Sequence, residues 1–396
     1  MLDRPSWLHP SFRLIEGGDG SGWTEFAWSD LASVPSPPGG VVRADRASRV
    51  LAALAAAERA GVGLLLSRRD DPSVDWTPPP GFSVTLETSG TTGAPKRVRH
   101  DFERLRGRVR GGTDQGARWL LAYEAGAFAG LQVILTAAST GAVLVSAPGG
   151  GVADLAQAAR RHAVTHVSGT PSFWRAFLMA LGSDALPLTS ITLGGEAVDQ
   201  PLLDRLADQF PAARLRHIYA STEAGALFAV ADKRAGFPAA WLERDVDGVA
   251  LRVRDGVLET RSPRAMIGGG GAVDADGWLS TGDLVERRGD RMLFAGRLDG
   301  LVNVGGVKVS PEAVEQRLLA APGVVDALVA AQPNPITGFL LTALVVPETG
   351  VDEATVRAAI RGATADLVPA ARPRVITLTD RIPLGVTGKK GRKAGS

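Results

Sequence analysis

From Phe82 onward the chain repeats one pattern, a short apolar run followed by a longer segment whose apolar residues recur at helical spacing. The runs are FSVTLE, RWLLAY, AVLVSA, THVSG and SITLGG, and the helical segments include VADLAQAARRH, PSFWRAFLMAL and DQPLLDRLADQF. Strands that alternate with helices are satisfied by an α/β architecture, mostly parallel sheets flanked by helices on both faces. Ligands on such sheets bind beyond the carboxyl ends of the strands. Chemistry is therefore expected in the loops that follow strands: TSGTTGAPK after the strand ending near Glu87, GGEA at Gly194 to Ala197, and YASTEAG at Tyr219 to Gly225. The three are expected at equivalent ends of neighbouring strands.

The flanks read differently. Residues 1–80 mix proline clusters (SVPSPPGG, DWTPPPG) with an alanine-rich helix near Ala44 to Ala60. From about Val249 short strands and turns follow one another (VALRVRDGVLETR, DGWLSTGDL, RMLFAGRLDG). Beyond Gly300 a compact unit begins: VNVGGVKV, a helix opened by Ser310 as N-cap with Pro311 in its first turn, strands at ALVAAQP and LTALVVPE, a helix from about Asp352 to Leu367, and a last strand at PRVITLT. A large first domain, 1–296, and a smaller α+β domain, 297–396, are expected to meet near Arg297 to Gly300.

Composition narrows the chemistry. The chain has no cysteine, which excludes disulfide scaffolds, thiolate zinc sites and cysteine nucleophiles. Its start lacks a signal-like apolar segment and no stretch has the length of a membrane span, so a cytoplasmic protein without a membrane partner is expected. Net charge is only +2, yet Arg97 to Arg110 holds six arginines and the tail GKKGRK is basic. Without interleaved aromatics the arginine run reads as a solvated helix face, not a nucleic-acid surface.

In TSGTTGAPK, glycines expose backbone N–H groups beside hydroxyls and one lysine, an anion cradle suited to phosphates. It is not a Walker A loop, because Ala-Pro precedes Lys96. Together with YASTEAG, STGDL, GRLDGLVNVGGVKVSPEAVE and PLGVTGKKGRK, in this order, it resembles the adenylate-forming (AMP-binding) superfamily: acyl-CoA and aryl-CoA synthetases, peptide-synthetase adenylation domains and luciferases.

The resemblance implies a two-step ligase reaction. A carboxylate attacks the α-phosphate of ATP to give acyl-AMP and pyrophosphate; a thiol, of CoA or of a carrier protein's phosphopantetheine, then displaces AMP. It implies that Thr88, Ser89, Gly90, Thr91, Thr92, Gly93 and Lys96 embrace the β- and γ-phosphates, that Glu223 holds Mg²⁺, and that Thr222 lies on the α-phosphate. Tyr219 would stack near adenine, with Ala220 in place of the usual glycine. Gly194, Gly195, Glu196 and Ala197 would line the base and acyl pocket. Asp283 would accept from both ribose hydroxyls with Arg297 in support, and Asp299 would be the hinge of a mobile C-terminal domain. That motion would alternately deliver Lys389 to the carboxylate and α-phosphate and present Gly305 and Gly306 to the thiol tunnel. Lys390 adjoins Lys389 and is an alternative for its role.

Several features depart from the family. Only 87 residues precede Thr88, so the N-terminal part is expected to be shortened. Arg97 replaces a glycine, Phe102 stands where a histidine is usual, and His100 is out of register. Tyr123 or Phe128 is the candidate acyl-pocket gate, or else core. Phe173, with Trp174 and Met179, would make that pocket apolar and suited to an aryl or medium acyl acid; near Glu124 alone is there a carboxylate for an amino acid's ammonium. The leading expectation is an ATP-dependent acyl- or aryl-CoA ligase, monomer or homodimer. The alternative is a ligase that loads an acyl carrier protein, for which the arginine run would offer a basic surface. Lys96, Glu223, Asp283 and Lys389 argue against a non-catalytic nucleotide-binding module.

Overall fold

The computed structural model describes residues 3–18, 22–36, 40–68, 75–88, 96–107, 113–267, 273–385 and 388–391. The expected strand and helix alternation is present. An eight-stranded sheet runs in the order Gly225–Val230, Arg214–Ser221, Ser190–Gly194, His166–Gly169, Arg118–Leu121, Val143–Ser146, Arg13–Gly17, Trp23–Phe26. Its six inner strands are parallel and its two outermost strands antiparallel. Helices Val152–Arg161, Pro171–Leu181 and Gln200–Gln209 pack in one apolar cluster with the strand residues Leu120, Val167, Ile191 and Leu193. Helices Ala47–Ala60 and Phe128–Thr140 belong to a second cluster, with Leu14, Leu64, Leu86 and Leu144.

Helix starts are written in the local sequence. Thr170 accepts from the Phe173 amide at 3.0 Å with Pro171 in the first turn, and Asp199 accepts from the Leu202 amide at 3.1 Å ahead of a second such proline. Both satisfy donors that a helix leaves unpaired at its start.

The expected placement of three loops on neighbouring strands needs correction. Strands Ser190–Gly194 and Arg214–Ser221 are neighbours, but Ser83–Thr88 belongs to a separate four-stranded sheet with Val41–Arg43, Leu64–Ser67 and Lys96–Asp101. The arginine run is likewise not one helix. Lys96–Asp101 is a strand in which Val98 and His100 point inward, and a short helix, Phe102–Arg106, follows. Period-two alternation through Val98 and His100 outweighs the helical tendency of the arginines. Phe102, at the position where the resemblance leads one to expect a histidine, is buried with its ring centroid 4.3 Å from Phe82 and 5.6 Å from Trp7.

A five-stranded antiparallel sheet comprises Phe237–Pro238, Arg291–Arg297, Leu279–Arg288, Val257–Arg261 and Ala250–Arg254. The smaller C-terminal α+β domain follows. Its long hairpin Val324–Asn334 with Gly338–Pro347 carries Val302–Val304, Val307–Val309 and Val375–Leu378 at its sides. Ser310 accepts from the Ala313 amide and opens helix Pro311–Leu319, as the sequence leads one to expect. The second helix, Glu353–Ala363, ends earlier than expected, where the Thr364 hydroxyl donates back to the Ile360 carbonyl. Among the described residues no helix is long and apolar enough to cross a membrane.

Because Phe102 is fully enclosed by Trp7 and Phe82, Phe102→Ala is expected to cost about 3–5 kcal/mol, read as a lowered urea midpoint. A surface control, Glu103→Ala, is expected to leave the midpoint unchanged.

Candidate active site

Two hairpins meet at one place. In the first, Thr88 is paired with Lys96, so the two ends of the glycine-rich loop are fixed opposite each other. Ser89, Gly90, Thr91, Thr92 and Gly93 lie outside the described residues. In the second, Thr222, Glu223 and Ala224 form the turn between Arg214–Ser221 and Gly225–Val230, and the Ser221 hydroxyl accepts from the Ala224 amide at 2.9 Å. Gly225 has φ +75° and the Arg264 carbonyl stands 2.7 Å from where a Cβ would be, so only glycine fits. His100 Nε2 lies 2.7 Å from the Thr222 carbonyl, and Lys96 Nζ lies 3.5 Å from Glu223 Oε1. Two sheets are thereby joined at the end of the glycine-rich loop.

The Ser190–Gly194 strand delivers the next loop. Gly195 has φ +84°, and the Glu196 carboxylate accepts from the Ser172 amide at 3.0 Å, at the start of helix Pro171–Leu181. A carboxylate there is favoured by the helix dipole. Glu196 thus anchors its loop to the helix, with Ala197 exposed beside it. The hydroxyl of Tyr123 lies 3.5 Å from the Gly194 carbonyl, behind the loop, and its burial pushes the phenol well above its usual range.

A cation arrives from the other end of the chain. The Lys389 carbonyl accepts from Gly385 at 2.8 Å, Gly388 donates to the Gly385 carbonyl at 2.9 Å, and the Thr170 hydroxyl donates to the Gly388 carbonyl. Lys389 Cε and Nζ come within 3.5 and 3.8 Å of the position a Cβ would take on Gly195. Lys390 points the other way. It is buried, with Nζ 2.6 Å from Asp326 Oδ1 and from the Ala327 carbonyl, and 3.3 Å from Glu315 Oε1. Of the two lysines that the sequence leaves open, Lys389 alone faces the loop after Gly194.

Asp283 sits on Leu279–Arg288 opposite Arg297. One carboxylate oxygen accepts from the Tyr219 hydroxyl, and the other lies 3.0 Å from Arg297 Nη1. Burial pushes the Asp283 carboxyl up, while Tyr219 and Arg297 hold it down in part. Burial also raises the Tyr219 phenol, with the Asp283 charge adding to the effect. The Tyr219 ring packs against Phe228 and Phe294, with centroids 5.2 and 4.9 Å away. Arg297 Nε also donates to Asp299 at 2.9 Å, on the short turn between Arg291–Arg297 and Val302–Val304. Gly305 and Gly306 form the tip of the next hairpin, and their contacts, to Thr337 and Asn303, stay within the C-terminal domain.

The residues expected at an acyl pocket lie apart. Phe128, at the start of Phe128–Thr140, lines a small pocket with His100, Arg104, Leu105, Gln132, Gly225, Ala226 and Arg264, adjoining the Glu223 turn. Phe173 and Trp174 do not line it. Phe173 is buried against Phe177, centroids 5.1 Å apart, and fits over Gly169, where a Cβ would meet its ring at 2.2 Å. Met179 is exposed. The helical period turns Phe173 and Trp174 into the core, so the apolar surface expected from them is not available. Glu124 is ion-paired with Arg68 and is not a free partner for an ammonium group. His100 and Gln132 line this recess without having been expected near it; strand alternation after Lys96 is the signal that places His100 inward.

Three sheets, a small C-terminal domain and a terminal lysine brought to the strand-end loops define an adenylate-forming enzyme. The chain belongs to the AMP-binding enzyme family: the family's "AMP-binding enzyme" model matches residues 41–257, and the "AMP-binding enzyme C-terminal domain" model matches residues 313–389. It is 30% identical over 284 residues to a 3-[(3aS,4S,7aS)-7a-methyl-1,5-dioxo-octahydro-1H-inden-4-yl]propanoyl:CoA ligase of Mycobacterium tuberculosis, an alignment covering 67% of this chain and 54% of that protein. It is 29% identical over 364 residues to the phenyloxazoline synthase MbtB of Mycobacterium tuberculosis, covering 79% of this chain and 24% of that one. The chain thus spans about half, or less, of these two relatives. The solved structure of the anthranilate CoA ligase AuaEII in complex with anthranoyl-AMP shares the fold, with TM-score 0.73 and 17% identity, covering 95% of this chain and 92% of that one.

Tyr219→Phe removes the hydrogen bond that holds the Asp283 carboxylate. The raised pKa of Asp283 means that its protonated form is favoured in the fold, so its contribution is present at low pH and is lost as pH rises through the folded value. Without Tyr219 that rise is larger. The variant is expected to lose about 1–3 kcal/mol at pH 7 and distinctly less near pH 4, measured by urea unfolding at the two pH values.

Proposed function

We propose that the protein activates a carboxylic acid as its acyl-adenylate, with release of pyrophosphate, and transfers the acyl group to the thiol of CoA. The observation that carries this reading is Lys389, whose side chain lies beside Gly195, after the strand that pairs in parallel with the one leading to Thr222 and Glu223. A carboxylate and an α-phosphate repel as they approach, and a cation positioned between them lowers that barrier.

The roles follow from the groups. Residues Thr88 to Gly93 with Lys96 hold the β- and γ-phosphates, and Thr222 reaches the α-phosphate. Asp283 has accepting lone pairs beyond those that Tyr219 and Arg297 occupy, so it can take two ribose hydroxyls. Among the described residues no group of three His, Asp or Glu side chains converges to hold a metal unaided. Glu223 with phosphate oxygens and water is a donor set that suits Mg²⁺, which keeps much of its hydration. Bound there, the ion would offset charge on the phosphates. Residues 297–396 form the mobile domain, with Asp299 as hinge, and Gly305 and Gly306 serve the thiol step after rotation.

The recess beside Phe128, Leu105 and His100 is too small as it stands for an aryl group, and an aryl or compact acyl acid is proposed from the relatives named as CoA ligases. Burial holds the His100 imidazole below its usual range, which keeps it uncharged at neutral pH. CoA is favoured as acceptor by the relatives named as CoA ligases; transfer to a carrier-protein thiol is the second outcome of the same assay.

The test is acid-dependent release of pyrophosphate from ATP over a panel of aryl and medium-chain acids, followed by thioester formation with CoA or with a phosphopantetheinylated carrier. No acid-dependent release from any member overturns the proposal. Lys389→Ala is expected to lower acyl-adenylate formation about 10²-fold, the scale lost with one positioned charge-stabilising group, while thioester formation from supplied acyl-adenylate stays near wild type. Equal loss of both steps contradicts the assignment. Glu223→Gln is expected to raise the Mg²⁺ concentration needed for half-maximal adenylation without changing the fold, checked by titration alongside a melting curve.

A further inference from the structure

Between the large domain and the C-terminal domain lies a buried group of charges that none of the roles above uses. Arg175, on helix Pro171–Leu181, is almost fully enclosed. Its Nη2 donates to Asp199 Oδ2 at 2.6 Å, within the large domain. Its Nε donates across the domain boundary to the Val325 carbonyl at 3.1 Å and lies 3.6 Å from Asp326 Oδ1. That same Asp326 oxygen is 2.6 Å from Lys390 Nζ, and Lys390 is completed by Glu315 and the Ala327 carbonyl. All five charged residues are buried. One carboxylate, Asp326, is thus shared between a cation of the large domain and the residue that directly follows Lys389.

We propose that Arg175, Asp326 and Lys390 are positioning residues for adenylation: an interdomain ionic latch that sets where Lys389 sits and must open before the thiol step. The inference rests on the reading that Lys389 assists acyl-adenylate formation. Lys389 is exposed, so its own packing does not hold it. It occupies a glycine-rich turn whose two sides are joined by the Leu384 and Lys390 bridge. The side chain at the base of that turn, Lys390, is clamped in the C-terminal domain, and Asp326 then presents the clamp to Arg175. The Thr170 hydroxyl meets the Gly388 carbonyl from the same helix start, so the turn is held at two points from the large domain. A side chain misplaced by about 1 Å can cost on the order of 10² in rate.

The latch is also suited to release. Arg175 keeps Asp199 when the domains part, and Asp326 keeps Lys390, so each charge retains one partner on its own side. What is lost is the Nε contact to Val325 and Asp326, and separation returns those groups to water. The chemistry calls for an interaction strong enough to fix the turn and divisible along the domain boundary, and this group of five divides there.

The test uses Arg175→Met, which removes the bridging cation and keeps the side-chain stem, and Asp326→Asn, which keeps the shape and an oxygen to accept from the Ala327 amide, which donates to Asp326 Oδ1 at 2.9 Å. Both are expected to lower acyl-adenylate formation at least tenfold, chiefly in kcat, while thioester formation from supplied acyl-adenylate stays within about twofold of wild type; Arg175→Lys is expected to recover part of the first step. A second readout does not depend on turnover. The chain has no native cysteine, so Arg161→Cys and Ile336→Cys, both at exposed positions, can carry a pair of spin labels. Wild type is expected to give one dominant interlabel distance, and Arg175→Met a broadened distribution with a second population. Equal loss of both half-reactions, unchanged adenylation, or an unchanged distance distribution overturns the latch. If wild type activates no acid, the functional reading falls while the distance measurement still judges the latch.

Discussion

On the proposed function, charge that must be brought together against its own repulsion is the constraint around which this molecule is arranged. A triphosphate and a carboxylate are both anions, and neither approaches the other unless cations and dipoles are set in place first. No single segment of the chain supplies them. Lys96 comes from the four-stranded sheet, Thr222 and Glu223 from a turn at the edge of the eight-stranded sheet, and Lys389 from the C-terminal domain. The His100 to Thr222 carbonyl contact and the Lys96 and Glu223 pair join the four-stranded sheet to the eight-stranded one at the Glu223 turn, and the Thr170 to Gly388 bond joins the C-terminal domain to the start of helix Pro171–Leu181. The fold's own stability is secured elsewhere, in apolar clusters on the sheet faces. That division leaves the strand ends available for glycine turns and half-exposed charges.

Buried charge at the domain boundary has a different logic from that in the cleft. Taking Arg175, Asp199, Asp326, Lys390 and Glu315 out of water costs several kcal/mol for each ion before any pairing is counted. An apolar contact of equal size would hold two domains together at less cost, but it would bind them without regard to rotation. Hydrogen-bonded ion pairs are directional. They are satisfied in one relative orientation, which is what a lysine at the end of a turn requires.

The parts of the fold that were legible in the sequence are those in which local periodicity and burial agree. The strands at Leu120, Val145, Val167 and Ile191 and the helices Val152–Arg161, Pro171–Leu181 and Gln200–Gln209 were read within a few residues, because each helix has one apolar face and the latter two open on a polar cap with a proline in the first turn. The same local logic misread Arg97 to Arg110. Six arginines suggested a helix face, while Val98 and His100, buried on alternate positions, made the first part a strand. Placing the glycine-rich loop on the same sheet as Gly194 and Tyr219 also went beyond local information. Which sheet a strand joins is decided by pairing partners far away in sequence, here Leu64–Ser67 for Ser83–Thr88.

The site shows the same divide in sharper form. Of the residues that the resemblance ties to a nucleotide, Lys96 stands beside Glu223 and Asp283 lies between Tyr219 and Arg297, and such positions are readable because phosphate, metal and ribose binding each admit few side chains. The acyl pocket was not readable, since any side chain of suitable shape can form a wall. Phe173 and Trp174 have the composition of a pocket and the helical phase of a core, and the phase decided. His100 has the opposite history. It was set aside as out of register with the family pattern, yet it stands in the wall beside Phe128, its ring centroid 5.8 Å away, with Nε2 held on the turn that carries Glu223. A recess residue that also holds the Thr222 to Glu223 turn couples the packing around Phe128 to where the Glu223 carboxylate sits. The packing of Phe128 and the position of the Thr222 to Glu223 turn therefore meet at one imidazole, and a substitution there cannot alter one without disturbing the other.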